Sequence, residues 1–330
     1  MPLLLGPPMI GRYALTPIFH GDATVWTSRP EFLTMPRNRF STMPCRFPLV
    51  LILSVLWCAA SLHATTAGQA EELYNARRYV EARAAFEQVI AAEPNNASAA
   101  YHLGDLAMMR DAPEEAAQWL EKATELAPKS SQYFHALGDA YGLSAQKAGL
   151  FSKLGFARKC QAAYEHAVAL DPEDIEARYA LFNYCRQAPS IAGGGLDKAR
   201  TQAIEIQKRN HLRGTLALVE LDVADHKFEE AFAALDEIRR LHPDSSIANY
   251  QFGRASAMCG QRLDQGASAL RQYLTTAPTE DDPPLWAAHW RLGQILEKTG
   301  DVPGARAEYA AALKLNPTQP QLVEAARRLK

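Results

Sequence analysis

Along most of the chain, apolar residues recur with helical spacing and alternate in size. In the stretch Ala97–Ser130, Leu103, Gly104 and Ala107 fall on one helical face. The period breaks at Asp111–Pro113, and Ala116, Leu120 and Ala123 then resume it before Pro128. This predicts two short antiparallel helices closed by a proline. The preceding proline in that role, Pro94, lies 34 positions earlier, so the unit has a fixed length as well as a pattern. Gly104, Ala116 and Ala123 are small where two helix backbones approach, whereas Leu103 and Leu120 are large enough to fill the gap. A helix pair of this size cannot bury its own apolar face, which predicts further copies on both sides.

Those copies are present. Phe134, Leu137, Gly138, Tyr141, Tyr164, Ala167 and Pro172 repeat the arrangement, as do Leu292, Gly293, Ala305, Tyr309, Ala312 and Pro317. The pattern of an aromatic, Leu-Gly, Tyr, then Ala, Phe or Tyr and Pro resembles the tetratricopeptide repeat. The resemblance implies an all-α fold: a right-handed α-solenoid of about seven helix-turn-helix repeats with a C-terminal capping helix. The closing positions divide residues 68–330 into repeats near 69–96, 97–130, 131–174, 175–211, 212–245, 246–280 and 285–318, with the capping helix at 319–330.

The units are not identical. The first lacks a convincing aromatic-Leu-Gly opening, so its first helix is expected to be frayed or truncated. Pro128 and Pro172 lie 44 positions apart; the extra residues, near Gly142–Leu154, lengthen the helices or their loop and keep Leu143, Leu150, Phe151, Leu154 and Phe156 on one side. The fourth unit carries the insertion Gln187–Ala199, near the end of which Asp197 reads as an N-cap or first-turn acid for the helix containing Ala199, Ala203 and Ile206. An acidic, proline-bearing loop, Thr279–Trp286, precedes the seventh. In the last helix Leu322, Ala325, Ala326 and Leu329 share a face that covers the end of the array.

The N-terminal residues 1–42 hold six prolines and no periodic apolar face, and are expected to be unstructured. Residues 43–67 have the layout of a secretory signal: Arg46, an apolar run from Phe47 to about Leu62, then small residues that suit cleavage after Ala64 or Ala67. The run is shorter than the roughly 18–20 residues of a membrane span. Its distance from Met1 suggests that translation starts at Met35 or Met43. The competing reading keeps the run as an uncleaved anchor. With its insertions, the chain resembles exported bacterial tetratricopeptide proteins, which implies a periplasmic or extracellular location.

A formal net charge of -2 without a basic stripe argues against a nucleic-acid surface. In this family the first helix of each pair lines a concave groove, and counting from the Leu-Gly positions places Tyr101, Asp105, His135, Asp139, Tyr179, Asn183, Tyr250, Arg254, Trp290 and Gln294 on it. Such a face grips an extended peptide or a partner helix; the same aromatics also serve ordinary packing between repeats. The family's clamp for a C-terminal carboxylate is missing, because Asp105 and Asp139 stand where it needs neutral or basic groups. His135 and Asp139, one turn apart with Asp105 on the next repeat, offer a sparse metal geometry, and a hydrogen-bonded groove wall is the expected reading. Gly193–Gly195 reads as a backbone nest for an anion or as a flexible turn, without a phosphate-loop ending. Asn96-Ala97-Ser98 is a glycosylation sequon or a polar helix start. Cys160 and Cys185 are either an export-driven pair or buried small hydrophobes.

No nucleophile elbow, zincin motif or paired carboxylates stand out. The sequence therefore predicts a non-enzymatic scaffold without cofactor or metal that binds a protein or peptide, with no nucleic acid and no membrane once the signal is removed. The alternative is a membrane-tethered assembly factor for envelope or secretion machinery.

Overall fold

The computed structural model describes residues 66–279 and 282–329. The signal and start-site expectations lie outside these residues. Fifteen α-helices and no strand occur among the described residues. They form seven antiparallel pairs: α1 (Ala67–Asn75) with α2 (Tyr79–Ala92), α3 (Ala97–Met109) with α4 (Pro113–Leu126), and α5 (Ser131–Lys147) with α6 (Leu150–Leu170). Next come α7 (Ile175–Gln187) with α8 (Leu196–Arg209), α9 (His211–Ala224) with α10 (Phe228–Leu241), α11 (Ser246–Cys259) with α12 (Leu263–Tyr273), and α13 (Leu285–Lys298) with α14 (Val302–Leu315). A final helix, α15 (Pro320–Arg328), buries Leu322 and Ala325 at the end of the stack. The fold is an all-helical repeat superhelix.

The two helices of a pair begin differently. Thr66, Asn96, Ser130, Asp174, Asn210 and Ser245 each cap a first helix by accepting a bond from a backbone N–H. Asn96 therefore acts as the polar helix start. The short α1 is truncated, but its Thr66–Gln69 capping box closes the end rather than letting it fray. Second helices start from tight turns. Arg77, Asp111, His226 and Gly300 all occupy the left-handed region, and the next residue donates its N–H back five positions, to Leu73, Ala107, Asp222 and Leu296.

Glycine sets the closeness of a pair. A Cβ on Gly104 would lie 2.6 Å from Leu120 Cγ, and one on Gly293 would lie 2.6 Å from Tyr309 Cε1. Gly138 meets Tyr164 and Gly253 meets Leu270 in the same way. Leu103 takes a different role from the one its spacing suggested. It packs with Tyr74, Phe86 and Ala70 of the preceding pair, because that face of α3 turns towards α1 and α2.

The extra residues of the third unit extend α5 to 17 residues and α6 to 21, with Leu143, Leu154 and Phe156 packed against the core. The glycine run is neither nest nor loose turn. The amides of Gly193, Gly194 and Gly195 donate to Ser190, Pro189 and Cys185 carbonyls, leaving none for an anion. The Tyr184 hydroxyl donates to Ala192 O at 2.5 Å and Lys198 Nζ to Gly193 O at 2.8 Å, pinning the segment. Asp197 lies in the first turn of α8, whose N-cap is Gly195. Cys160 and Cys185 are free, buried thiols in one hydrophobic cluster.

Candidate functional site: the inner face of the first helices

First helices approach one another directly at α3–α5, α5–α7, α9–α11 and α11–α13, whereas second helices mainly touch first helices. The side on which neighbouring layers lie closest is the inside of the curve, so the first helices line the concave face. The first step, α1 to α3, lacks this approach, and so does the step from α7 to α9. There, long side chains bridge the gap: Arg213 Nη2 donates to Glu176 Oε2 at 2.7 Å, Arg186 Nε lies 3.6 Å from Glu220 Oε2, and the Arg213 guanidinium lies 4.4 Å above the Tyr179 ring.

At the N-terminal end, Tyr101 is buried. Its ring stacks on Tyr133 with centroids 4.8 Å apart, and its hydroxyl accepts from Gln132 Nε2 at 3.1 Å. Burial, with the Asp105 charge, raises the Tyr101 hydroxyl well above its ordinary range. Asp105 accepts from the Tyr74 hydroxyl. Asp139 accepts from the Tyr164 hydroxyl at 2.7 Å and lies 3.9 Å from His135 Nε2. Burial raises the Asp139 carboxyl; the nearby His135 and the Tyr164 bond oppose that rise. Among the described residues, no three of His, Cys, Asp and Glu gather as a metal site.

The C-terminal end has the opposite charge. Tyr250 is buried against Tyr273, with ring centroids 5.3 Å apart. Arg254 donates to Gln251 at 3.2 Å, and Arg291 donates to Gln294 at 2.9 Å while lying 4.3 Å from the Trp290 ring. Trp290 and Gln294 are half-buried. In the middle, half-buried Tyr179 sits beneath Arg213, and Asn183 accepts from Arg186 at 3.3 Å. Tyr101 and Tyr250 are thus buried in packing, while the other eight positions are only partly buried.

The profile of the tetratricopeptide repeat family matches residues 68–131 and 256–320. The chain is a tetratricopeptide repeat protein. Its fold is similar to that of a tetratricopeptide repeat protein from Parabacteroides merdae, 15% identical, with 79% of this chain and 96% of that one covered and a TM-score of 0.61. It is also similar to the C-terminal part of a repeat-containing protein from Cytophaga hutchinsonii, at 16% identity, 78% and 97% coverage, and a TM-score of 0.50. A chain of the Cut9–Hcn1 hetero-tetramer of the APC/C aligns at 14% identity, over 79% of this chain and 48% of that one, with a TM-score of 0.53. At these identities the likeness shows the fold alone. No curated protein matches the sequence. Tetratricopeptide repeats generally form a non-enzymatic interaction fold.

Counting along the repeats of this tetratricopeptide protein missed part of its face. Glu176 and Arg186 extend the Tyr179–Asn183 stripe by one turn at each end, a signal that was available in the spacing. An open cavity of about 480 Å³ between α11, α13 and α15, lined by Met258, Arg291, Gln294, Lys298 and Arg328, carried no such signal. Its wall includes His226, in a left-handed turn, and the capping helix, which lies outside the repeat pattern.

Proposed function

We propose that this protein is a non-enzymatic scaffold that holds a protein or peptide segment along the concave face of its first helices. The observation that carries this is a continuous inner wall on which half-buried aromatic, amide and charged side chains alternate from α3 to α13, ending in an open cavity. Rigid aromatic anchors beside adaptable polar groups suit recognition of an extended chain.

The test is affinity capture on the protein followed by Trp290→Ala and Gln294→Ala variants. Both side chains are half-buried and Trp290 also packs against the adjoining apolar cluster, so recovery is compared at matched folded fraction, where it should fall at least roughly tenfold, the loss expected of an aromatic anchor. Partners retained at full yield by the double variant would refute the groove. Export is part of the same proposal, supported by the Phe47–Leu62 run. N-terminal sequencing of the protein from its host should give a start near Thr65, and a retained run would favour the tethered alternative.

A further inference from the structure

The charges of the inner face are sorted by sign along its length. At the N-terminal end, Asp105 and Asp139 are satisfied by hydroxyls: Tyr74 donates to Asp105, and Tyr164 to Asp139 at 2.7 Å. Among the described residues neither pairs with a Lys or Arg; His135 lies 3.9 Å from Asp139, and His102, near Asp105, is held below its ordinary range by burial. At the centre the charges cancel in the Glu176–Arg213 and Glu220–Arg186 pairs.

At the C-terminal end the sign reverses. Arg254 and Arg291 donate to the neutral amides of Gln251 and Gln294. Arg291 Nε is buried with no hydrogen-bond acceptor, an uncompensated donor beside the cavity. Lys298, on the cavity wall, makes no ion pair among the described residues, while Arg328 is neutralised by Glu297 at 3.1 Å. From α3 to α13 there are five first-helix steps, which at roughly 8–10 Å each span about 40–50 Å. That exceeds the Debye length of about 8 Å at physiological salt, so the two ends do not neutralise one another and each acts on what lies over it.

We propose that the groove takes an extended peptide of divided charge, its basic side chains over Asp105 and Asp139 and an acidic side chain in the cavity between α11, α13 and α15. This rests on the groove reading above and adds the partner's chemistry and its direction of lie. A segment of about 12–15 residues spans the distance, at roughly 3.3 Å per extended residue. Its charge order, rather than its exact sequence, sets which end meets which repeat.

The experiment uses two labelled peptides of about 14 residues and equal composition, one with lysines in one half and glutamates in the other, the second with the charges scrambled. Each carries a photo-crosslinker at one end or the other. The divided peptide should bind at least about tenfold more tightly in low salt and lose that advantage near 0.5 M salt. Crosslinks from its basic end should fall on α1–α5 and those from its acidic end on α11–α15. Lys298→Glu, at an exposed position, should weaken it at least threefold, about half the energy of a tenfold change. Equal binding of the scrambled peptide, crosslinks without end preference, or no binding would overturn the proposal. Uncharged peptides selected from a library and released by Trp290→Ala would then keep the groove reading, whereas a library yielding no groove binder would reject both.

Discussion

Replacing Gly293 by alanine separates close packing from helix propensity. In an exposed helix the change gains about 1 kcal/mol. Here the new methyl would lie 2.6 Å and 2.7 Å from Cε1 and Cδ1 of Tyr309, a fully buried ring, whereas carbon atoms rest near 3.5–4.0 Å. Relieving an overlap of about 1 Å moves the ring, at a typical overpacking cost of about 2 kcal/mol. The Tyr309 hydroxyl donates to Glu297 Oε2 at 2.8 Å, and weakening that bond adds about 1 kcal/mol. Subtracting the propensity gain leaves a net loss of about 2 kcal/mol. Gly155 on α6 is the matched control: a Cβ there meets nothing within 4 Å, so Gly155→Ala should stabilise by about 0.5–1 kcal/mol. Urea unfolding followed by circular dichroism gives both signs. Amide exchange localises each effect to its own pair, as expected of an array stabilised by nearest neighbours. If Gly293→Ala proves as stabilising as Gly155→Ala, the glycine–aromatic contact is wrong and so is the pairing of α13 with α14.

Asp139→Asn should raise the melting midpoint at pH 7. The Asp139 carboxyl is raised by burial, so its favourable contribution is complete below the ordinary carboxylate range and is lost as pH rises through the shifted value. The advantage of the asparagine should therefore vanish on acidification, and a gain that persists at pH 3 would refute this. Arg213→Ala removes the bridge across the α7–α9 step. It should cost about 0.2–1 kcal/mol in low salt and less in 1 M salt, measured by urea midpoints. Because Arg213 holds Glu176 below its usual range, the contribution is present at neutral pH and disappears as pH falls through the lowered value. Burial pushes the Cys185 thiol up to about 11 and the Cys160 thiol well above its ordinary range. Of the three cysteines in the array, Cys259 should react first with iodoacetamide, the other two only on unfolding, as read by peptide mass.

The repeat architecture was legible because its signals are local. Leu-Gly spacing, the Asn96, Ser130 and Asp174 caps, and closing prolines such as Pro128 each act within one turn of helix. What the spacing could not give is depth. Helical phase puts Tyr101 and Tyr179 on the same face, yet Tyr101 is covered by Tyr133 of the next layer while half-buried Tyr179 lies beside Phe182 of its own helix and under the Arg213 guanidinium. How far one layer slides over the next decides that. The hydroxyl partners of Asp105 and Asp139 were hidden for a similar reason. Tyr74 and Tyr164 reach them from other helices, so no spacing within α3 or α5 reveals them.

The corners between paired helices do more than reverse the chain. Asp111 sits in a backbone shape that costs an ordinary residue about 1 kcal/mol, yet its carbonyl and carboxylate both hold Lys147 of the following layer. Arg262, similarly contorted, grips Asp236 with both terminal nitrogens and lies over Phe232 and Phe252. Glycine at either corner would ease the bend and remove a rivet between storeys. Gly300 has the same bend and no rivet, since a Cβ there would touch nothing, so it is the landing at which an extra segment can be spliced in without unfastening the staircase.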